Sequence, residues 1–186
     1  MKISTREMIL VALFAALTAV GAFIKIPLGA VPVTLQFLFT ALAGIMLGSK
    51  LGALSQLVYM IIGLLGVPVF SGGTGGLTSV ISPSFGYVIG FVLGAYTIGK
   101  VVEMSKNSSF IKLLLASLAG IIVIYLIGVP YLYLIMNNIV GKKMAFSAAL
   151  KAGFIIFIPG DLIKCTIAAA LGTKVVPAVR KTIKGS

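Results

Sequence analysis

Residues 51–99 read LGALSQLVYMIIGLLGVPVFSGGTGGLTSVISPSFGYVIGFVLGAYTIG and carry no charged side chain across 49 positions. As one continuous helix this stretch would measure about 74 Å at 1.5 Å per residue, more than twice the roughly 30 Å hydrocarbon core of a bilayer. It must therefore turn back within its own length. The turn is predicted where glycine, proline and hydroxyl residues interrupt the aliphatic run, between Gly66 and Gly86.

Three further uncharged runs flank this stretch and are of similar character, at residues 8–24, 26–49 and 113–141. A helix of about 20 apolar residues is enough to cross a membrane. The sequence therefore predicts a single all-α integral membrane domain over residues 1–186. Its six transmembrane helices are predicted near residues 7–25, 34–48, 51–66, 84–102, 112–136 and 161–179.

The segment before the last predicted span has a different composition. Residues 144–158 carry Lys151 and run into Pro159, which favours an interfacial or partly re-entrant helix over a seventh span. Because Pro159 and Gly160 are expected to stop that segment, Asp161 is predicted to cap the N-terminus of the last helix.

The overall composition excludes several kinds of function. Hydrophobic residues make up 60% of the chain and charged residues 10%, with a mean hydropathy of +1.20, whereas about a quarter of a soluble domain is charged. The chain has no His and a single cysteine, Cys165. Imidazole acid–base chemistry, His-ligated metal sites and an intramolecular disulfide are therefore excluded. We expect no metal ion and no cofactor, and we interpret the net charge of +12 as membrane flanks, not as a nucleic-acid surface.

The basic residues also predict the orientation, because Lys and Arg accumulate in cytoplasmic loops. With the N-terminus inside, the cytoplasmic side receives Lys2, Arg6, Lys50, Lys100, Lys106, Lys112, Lys174, Arg180, Lys181 and Lys184. The outer side receives Lys25, Lys142, Lys143 and Lys151. Both termini are therefore predicted to be cytoplasmic.

Small residues recur at a spacing of four in three of the predicted helices, which permits close helix contact. Glycines follow this pattern in the second and fourth helices, where we expect packing within the fold. In the first helix the pattern is formed by Ala12, Ala15, Ala16 and Ala19. This stripe suits either internal packing or the docking of a partner subunit.

Asp161 and Lys164 are predicted to form the main polar site. They lie three residues apart on one helical face inside a span, where ionisable groups are costly unless they are paired, hydrated or facing a cavity. A self-neutralising structural pair is the alternative. We favour a ligand site, because a helix broken at Pro159 and Gly160 frees backbone groups beside the pair. The carboxylate would accept ligand N–H groups and the ammonium would favour a carbonyl or carboxylate.

Further candidates come from the outer loops. Thr34 and Gln36 place a hydroxyl and an amide at the outer mouth of the second helix, where they act either as ligands or as simple caps. The glycine-rich loop at residues 70–76 lacks the Lys and spacing of a phosphate loop and fits a lid better. Four aromatic residues are candidate apolar walls, although each alone also suits core packing: Tyr59, Phe70, Phe85 and Tyr87.

Four segments in a fixed order resemble those of a known family. They are VPVTLQ at residues 31–36, GVPVFSGGTGG at 66–76, SPSFGY at 82–87 and PGDLIK at 159–164. Over nearly its whole length the chain resembles the substrate-binding S-components of energy-coupling factor (ECF) vitamin transporters, and among them the biotin-specific BioY family. One departure is the Pro83-Ser84-Phe85 sequence, where many relatives carry Pro-Thr followed by small residues before Gly-Tyr.

The resemblance implies a high-affinity subunit that binds biotin from the outside of a prokaryotic cell (inner) membrane. It implies that Asp161 and Lys164 are the principal polar ligands and that the loop containing Gly73 is part of the lid. It also implies that the alanine stripe docks a transmembrane coupling subunit, which is linked to two ATP-binding cassette ATPases.

Two other classes of function are alternatives to a vitamin-binding subunit. An autonomous ion-coupled secondary transporter of a small polar solute would use Asp161 as a proton or sodium site, but the six predicted spans show no convincing internal duplication. An intramembrane enzyme would need paired carboxylates, His or an activated nucleophile, and the sequence offers none of these. The chain also lacks a Walker motif, so ATP hydrolysis is expected to reside in partner subunits.

Overall fold

The computed structural model describes residues 3–104 and 108–184. These residues form an all-helical bundle, as predicted, with one short β-hairpin. In chain order the elements are α1 (Thr5–Phe23), β1 (Lys25–Ile26), β2 (Val33–Thr34), α2 (Gln36–Leu64), a 3₁₀ turn (Leu77–Ile81), α3 (Phe85–Glu103), α4 (Phe110–Asn138), α5 (Phe146–Leu150), a π-helical segment (Lys151–Ile155) and α6 (Ile158–Lys184).

Within the described residues, five helical segments are long and apolar enough to cross a membrane: Thr5–Phe23, Gln36–Leu64, Phe85–Glu103, Phe110–Asn138 and Phe146–Val176. The chain is therefore a membrane protein with several apolar helices. The predicted number of six crossings stays a prediction, and the two predicted spans at residues 34–48 and 51–66 both lie in α2.

Helix α2 folds back on itself at Gly48. The φ of Gly48 is 83°, in a region that side chains disfavour and glycine tolerates. As a result, the hydroxyl of Thr40 lies 3.0 Å from the Oε1 of Gln56, although a straight helix would separate these residues by about 24 Å. Residues 36–47 and 49–64 are thus the first and second legs of a helical hairpin.

The end of α3 holds this turn in place. Glu103 accepts a hydrogen bond of 2.7 Å from the backbone N–H of Ser49 and further bonds from the Ser49 hydroxyl. A carboxylate at the N-terminus of the second leg caps its free N–H groups and complements its dipole. The Gly48 turn and the C-terminus of α3 therefore lie at the same end of the bundle.

The expected internal packing of the glycine series is confirmed. A Cβ on Gly44 would lie 2.8 Å from Ile98 of α3, and a Cβ on Gly94 would lie 2.6 Å from Ile124 of α4. The absence of side chains at these glycines lets α2, α3 and α4 approach closely, with α3 between the other two.

The start of α6 differs from the prediction. Asp161 is not an N-cap: α6 begins at Ile158, and the N–H of Asp161 donates to the carbonyl of Phe157 at 2.9 Å. The prediction was wrong because Pro159 stands in the first turn, where its missing N–H would have had no partner in any case. Residues 146–157 are almost wholly helical and lead directly into α6.

Candidate functional site

A cavity of about 710 Å³, including its open mouth, lies among α2, α3, α4, α6 and the loops before α2 and α3. Seven of the nine predicted ligand-binding residues line it: Asp161, Lys164, Gln36, Thr34, Phe70, Phe85 and Tyr87. The remaining lining residues are Val31, Pro32, Phe37, Ser71, Thr74, Ser79, Ser82, Ser84, Val88, Phe91, Ile121, Ile124, Tyr125 and Phe157. The sequence-based candidates thus converge from distant segments on one space.

Asp161 and Lys164 form a buried ion pair at the α6 wall of the cavity. The Oδ1 of Asp161 lies 2.7 Å from the Nζ of Lys164, and the two side chains are 9% and 8% exposed. Their spacing of three places them on one face of α6. Because a paired charge still has unused hydrogen-bonding capacity, the carboxylate can accept a ligand N–H while the ammonium donates to a ligand oxygen.

Tyr125 is a site residue that the sequence reasoning missed. Its hydroxyl from α4 donates to the Oδ2 of Asp161, so both carboxylate oxygens of Asp161 are held. The Tyr125 ring is packed in turn against Tyr87 and Phe154. A tyrosine within the uncharged run at 113–141 is the only signal that the sequence offers, because the 36-residue separation from Asp161 conceals the contact.

Tyr87 closes the same wall from α3. Its hydroxyl donates to the carbonyl of Gly153 at 2.8 Å, which lies in the π-helical segment. A Cβ on Gly128 would lie 2.6 Å from the Tyr87 ring, so that glycine makes room for the aromatic side chain. The segment that precedes α6 therefore supports the cavity wall, a role that its composition did not predict.

Gln36 and Thr34 line the cavity from the start of α2 and from the strand before it. Thr34 donates to the Oε1 of Gln36 at 2.9 Å, and the Nε2 of Gln36 donates to the Tyr59 hydroxyl at 2.7 Å. Tyr59 then donates to the carbonyl of Val69 at 3.1 Å. Tyr59 is fully buried, bonds to Gln36 and is not among the residues that line the cavity.

Three residues of the glycine-rich loop line the cavity: Phe70, Ser71 and Thr74. The ring of Phe70 packs edge-on against Tyr59 and Phe85 and occupies the space left by Gly63. Phe85 lines the cavity instead of facing away from it. Gly73 has a φ of 70° and shapes the turn of this loop, but it is not among the lining residues.

Two serine hydroxyls in this region have no hydrogen-bond partner within the described protein. They are the buried Oγ atoms of Ser71 and Ser79, and both residues line the cavity. A buried hydroxyl without a partner costs free energy. These hydroxyls are therefore suited to donate to, or accept from, a ligand. Sequence reasoning treated the loop as a lid and did not single them out.

The predicted alanine stripe of α1 is divided between two faces. Ala12 and Ala16 are exposed on the outside of the bundle, and Ala19 is half-buried. Ala15 is 4% exposed and packs inward with Tyr59 and Phe70. Ala15 is therefore not part of the predicted docking face, because it lies on the side of α1 that faces the interior.

The chemistry of the cavity is that of a binding site for a small amphipathic molecule. Aromatic and aliphatic side chains form most of the wall, while an ion pair, an amide and several hydroxyls provide localised polar contacts. Residues 3–104 and 108–184 contain no cluster of three metal-ligating side chains. Such a mixture fixes the orientation of a ligand through a few polar groups and gains affinity from apolar burial.

Comparison with known proteins adds independent findings. A model of the BioY family matches residues 1–181. A protein of Lysinibacillus sphaericus named "probable biotin transporter BioY" is 44% identical over 177 residues, covering 95% of this chain and 90% of the relative. "Biotin transporter BioY" of Thermotoga maritima is 40% identical, covering 91% of this chain and 95% of the relative.

A solved structure is also similar to this chain. It is described as the S-component for biotin from an ECF-type ABC transporter, and it shares 27% sequence identity and a TM-score of 0.80. The match covers 94% of each chain. The similarity therefore extends over nearly the whole chain.

Proposed function

The chain belongs to the BioY family, and from that membership we propose that it is the biotin-binding S-component of an ECF-type transporter. Relatives that are 44% and 40% identical are named as biotin transporters. The structural neighbour is an S-component for biotin. The function is binding and transport, not enzymatic catalysis.

The buried pair of Asp161 and Lys164 at the cavity wall is the observation that carries the assignment to this site. The ureido group of biotin offers two N–H donors and one carbonyl, and the valerate tail ends in a carboxylate. Asp161 accepts a ureido N–H, and Lys164 donates to the ureido oxygen. The aromatic wall, including Phe85 and Tyr87, packs against the fused rings and the tail.

Six crossings with both termini in the cytoplasm are part of the proposal. The contact between Thr40 and Gln56 supports two antiparallel crossings within α2. The start of α1 and the Gly48 turn lie at one end of the bundle, because α1 and the first leg of α2 run in opposite directions. The loops that line the cavity lie at the other end, so its mouth opens there. The excess of basic residues on the side of the termini supports a mouth that faces the outside of the cell. The proposed location of the protein is a prokaryotic inner membrane.

The energy for uptake comes, in this proposal, from a transmembrane coupling subunit and two ABC-type ATPases. The exposed residues Ala12 and Ala16 form the small-residue face of α1 on which the coupling subunit docks. Uptake of labelled biotin by cells that lack their own biotin transporter tests the function. We expect rapid uptake when the chain and the coupling module are expressed together, and no uptake when the gene for either is omitted. Rapid uptake by the chain alone, or none with the complete module, would contradict the proposal.

The docking face is tested separately by Ala16→Leu. We expect the variant to bind biotin normally but to lose at least about tenfold in uptake, because leucine keeps the helices apart. Ala170→Leu is the matched control, since Ala170 is an exposed alanine on α6. Normal co-purification of Ala16→Leu with the coupling subunit would rule out this docking face.

A further inference from the structure

A second opening, separate from the ligand cavity, lies on the outer surface between α4 and the segment before α6. It holds about 550 Å³, including its open side. Its lining is almost wholly apolar and consists of Ile122, Tyr125, Leu126, Val129, Pro130, Phe146, Leu150 and Phe154. We call it the lateral groove. Leu126 is 69% exposed and Phe146 is 49% exposed, so the groove is open to whatever surrounds the bundle.

The lateral groove runs along α4 for the length of an acyl-chain segment. Phe146 packs on Tyr133 with ring centroids 5.6 Å apart, and Phe154 packs on Tyr125 at 4.8 Å. The segment at 146–154 therefore runs antiparallel to α4. The stretch of α4 from Ile122 to Pro130 measures about 12 Å at 1.5 Å per residue, which is most of the roughly 15 Å depth of one leaflet's hydrocarbon.

Basic residues lie beyond one end of the lateral groove and beside its middle. Lys142 and Lys143 lie in the loop between α4 and α5, and Lys151 follows the groove residue Leu150; all three lysines are exposed. The loop is tied to the end of α4, because Asn137 exchanges hydrogen bonds with the backbone of Met144.

These lysines have no carboxylate of the chain to neutralise them. The sequence contains three acidic residues. Asp161 is paired with Lys164, Glu103 is bonded to Ser49, and Glu7 is bonded to Ser4. The loop end of the groove therefore carries two lysines, and Lys151 adds a third positive charge further along it, which an anion outside the protein would neutralise.

We propose that the lateral groove binds one anionic phospholipid, with an acyl chain along α4, its phosphate at Lys142 and Lys143, and the long side chain of Lys151 extending toward the headgroup from beside the groove. An apolar channel open to the membrane suits a hydrocarbon chain, and a cluster of lysines beside it suits an anionic headgroup. Tyr125 lines both the groove and the ligand cavity. The lipid therefore packs against the outer side of the tyrosine that holds Asp161.

Native mass spectrometry of the detergent-purified chain tests this site. The protein is incubated with phosphatidylglycerol or with phosphatidylcholine of the same acyl chains. We expect one phosphatidylglycerol to be retained per chain, at least about fivefold more than phosphatidylcholine. Glycerol 3-phosphate, which has the charge but no chain, is not expected to displace it.

Two sets of variants separate the headgroup from the acyl chain. Replacing Lys142, Lys143 and Lys151 with Gln is expected to abolish the preference for phosphatidylglycerol, whereas the control Lys50→Gln, at the Gly48 end of the bundle, keeps it. Leu150→Trp is expected to fill the groove and to reduce retention of both lipids at least about fivefold. Leu134→Trp is the matched control, since Leu134 is exposed on α4 but does not line the groove.

Equal retention of the two lipids by the unmodified chain, or unchanged preference in the triple lysine variant, would overturn the proposal. Displacement by glycerol 3-phosphate would also overturn it, by assigning the lysines to a free phosphate. A dimer mass that Leu150→Trp abolishes would assign the groove to a second copy of the chain. None of these measurements involves biotin, so failure of the lipid proposal can be told apart from failure of the proposed function.

Discussion

Two clusters of buried polar side chains lie inside the same bundle and differ in what completes them. The first, the α6 cluster, consists of Asp161, Lys164 and Tyr125, and it lines the cavity. The second, the glutamine cluster, consists of Gln56, Thr18, Thr40 and Ser55, and it joins α1 to the two legs of α2. Every member of the glutamine cluster bonds to another member, and the cluster does not line the cavity.

The comparison shows that burial of polar groups alone does not identify a ligand site. Gln56 is fully buried, and its amide oxygen and nitrogen are both occupied by protein hydroxyls. Such a saturated network stabilises helix contacts and has nothing left to offer a ligand. The α6 cluster is also buried but lines the cavity, where its charges keep unused hydrogen-bonding capacity. A variant of the first cluster should therefore change affinity, and a variant of the second should change stability.

The largest expected effect is on biotin affinity in Asp161→Asn. Losing the charged acceptor is expected to cost about 1.5–3 kcal/mol of binding free energy, or roughly a 10- to 150-fold rise in Kd. Calorimetric titration of the purified variant measures this change. Glu103→Gln is the matched control, because Glu103 is bonded to Ser49 at the Gly48 turn, far from the cavity. The biotin affinity of this variant should be unchanged. An unaltered Kd in well-folded Asp161→Asn would show that Asp161 is not a ligand.

Next in size is the effect of Gln56→Met on stability. Hydrogen bonds to Thr18, Thr40 and Ser55 are lost, and at about 0.6 kcal/mol per bond between membrane helices the free energy of unfolding should fall by about 1–2 kcal/mol. The biotin Kd should stay within about threefold of that of the unmodified chain, a much smaller change than the one expected for Asp161→Asn.

Unfolding of Gln56→Met can be followed through Cys165, the chain's single cysteine, which is fully buried. A maleimide dye reacts with its thiol only when the bundle opens. A rise in Kd of more than about tenfold, equivalent to 1.4 kcal/mol, with no loss of stability would mean that the glutamine cluster belongs to the ligand site and that the two clusters do not differ as described.

Tyr125→Phe tests whether the α6 cluster must be held in position. Removing the hydroxyl takes one donor from Asp161, and we expect biotin affinity to fall roughly 5- to 10-fold, the scale of one hydrogen bond. Tyr133→Phe is the control, since Tyr133 packs on Phe146 and does not line the cavity. Equal or tighter binding by Tyr125→Phe would mean that Tyr125 competes with the ligand for Asp161.

The smallest effect is expected for Ser79→Ala. The Ser79 hydroxyl has no partner in the described protein, so its removal should leave stability unchanged or slightly higher. Biotin affinity should fall about threefold, or roughly 0.6 kcal/mol, if the ligand supplies the missing partner. In the control Ser117→Ala the lost hydroxyl bonds to the carbonyl of Leu113, and affinity should not change. A destabilised Ser79→Ala with normal affinity would give Ser79 a structural role.

The sequence predicts those parts of the molecule that depend on composition and local pattern. Uncharged runs locate the helices, and the spacing of Asp161 and Lys164 places both on one helical face. The turn at Gly48 coincides with the gap between two predicted spans, because glycine and the flanking Lys50 interrupt the apolar run. These features are set by residues close together in the chain.

Features that depend on contacts between distant segments were not predicted. The Tyr125 to Asp161 bond joins α4 to α6, and the Glu103 cap joins α3 to the Gly48 turn. Tyr59 has the composition of a wall residue but is hidden by Gln36. Pro159 suits a helix stop, because helical stretches commonly end before proline, but proline is equally suited to a first turn. Only the packed helices distinguish these alternatives.

Isothermal titration of the detergent-purified, monodisperse chain with biotin is the direct test of whether the chain is a biotin-binding subunit. Riboflavin and thiamine serve as parallel ligands from the same class of transporter. We expect tight binding of one biotin per chain and no heat from the other two vitamins. A monodisperse chain that does not bind biotin, or that binds riboflavin or thiamine as tightly, would contradict this expectation.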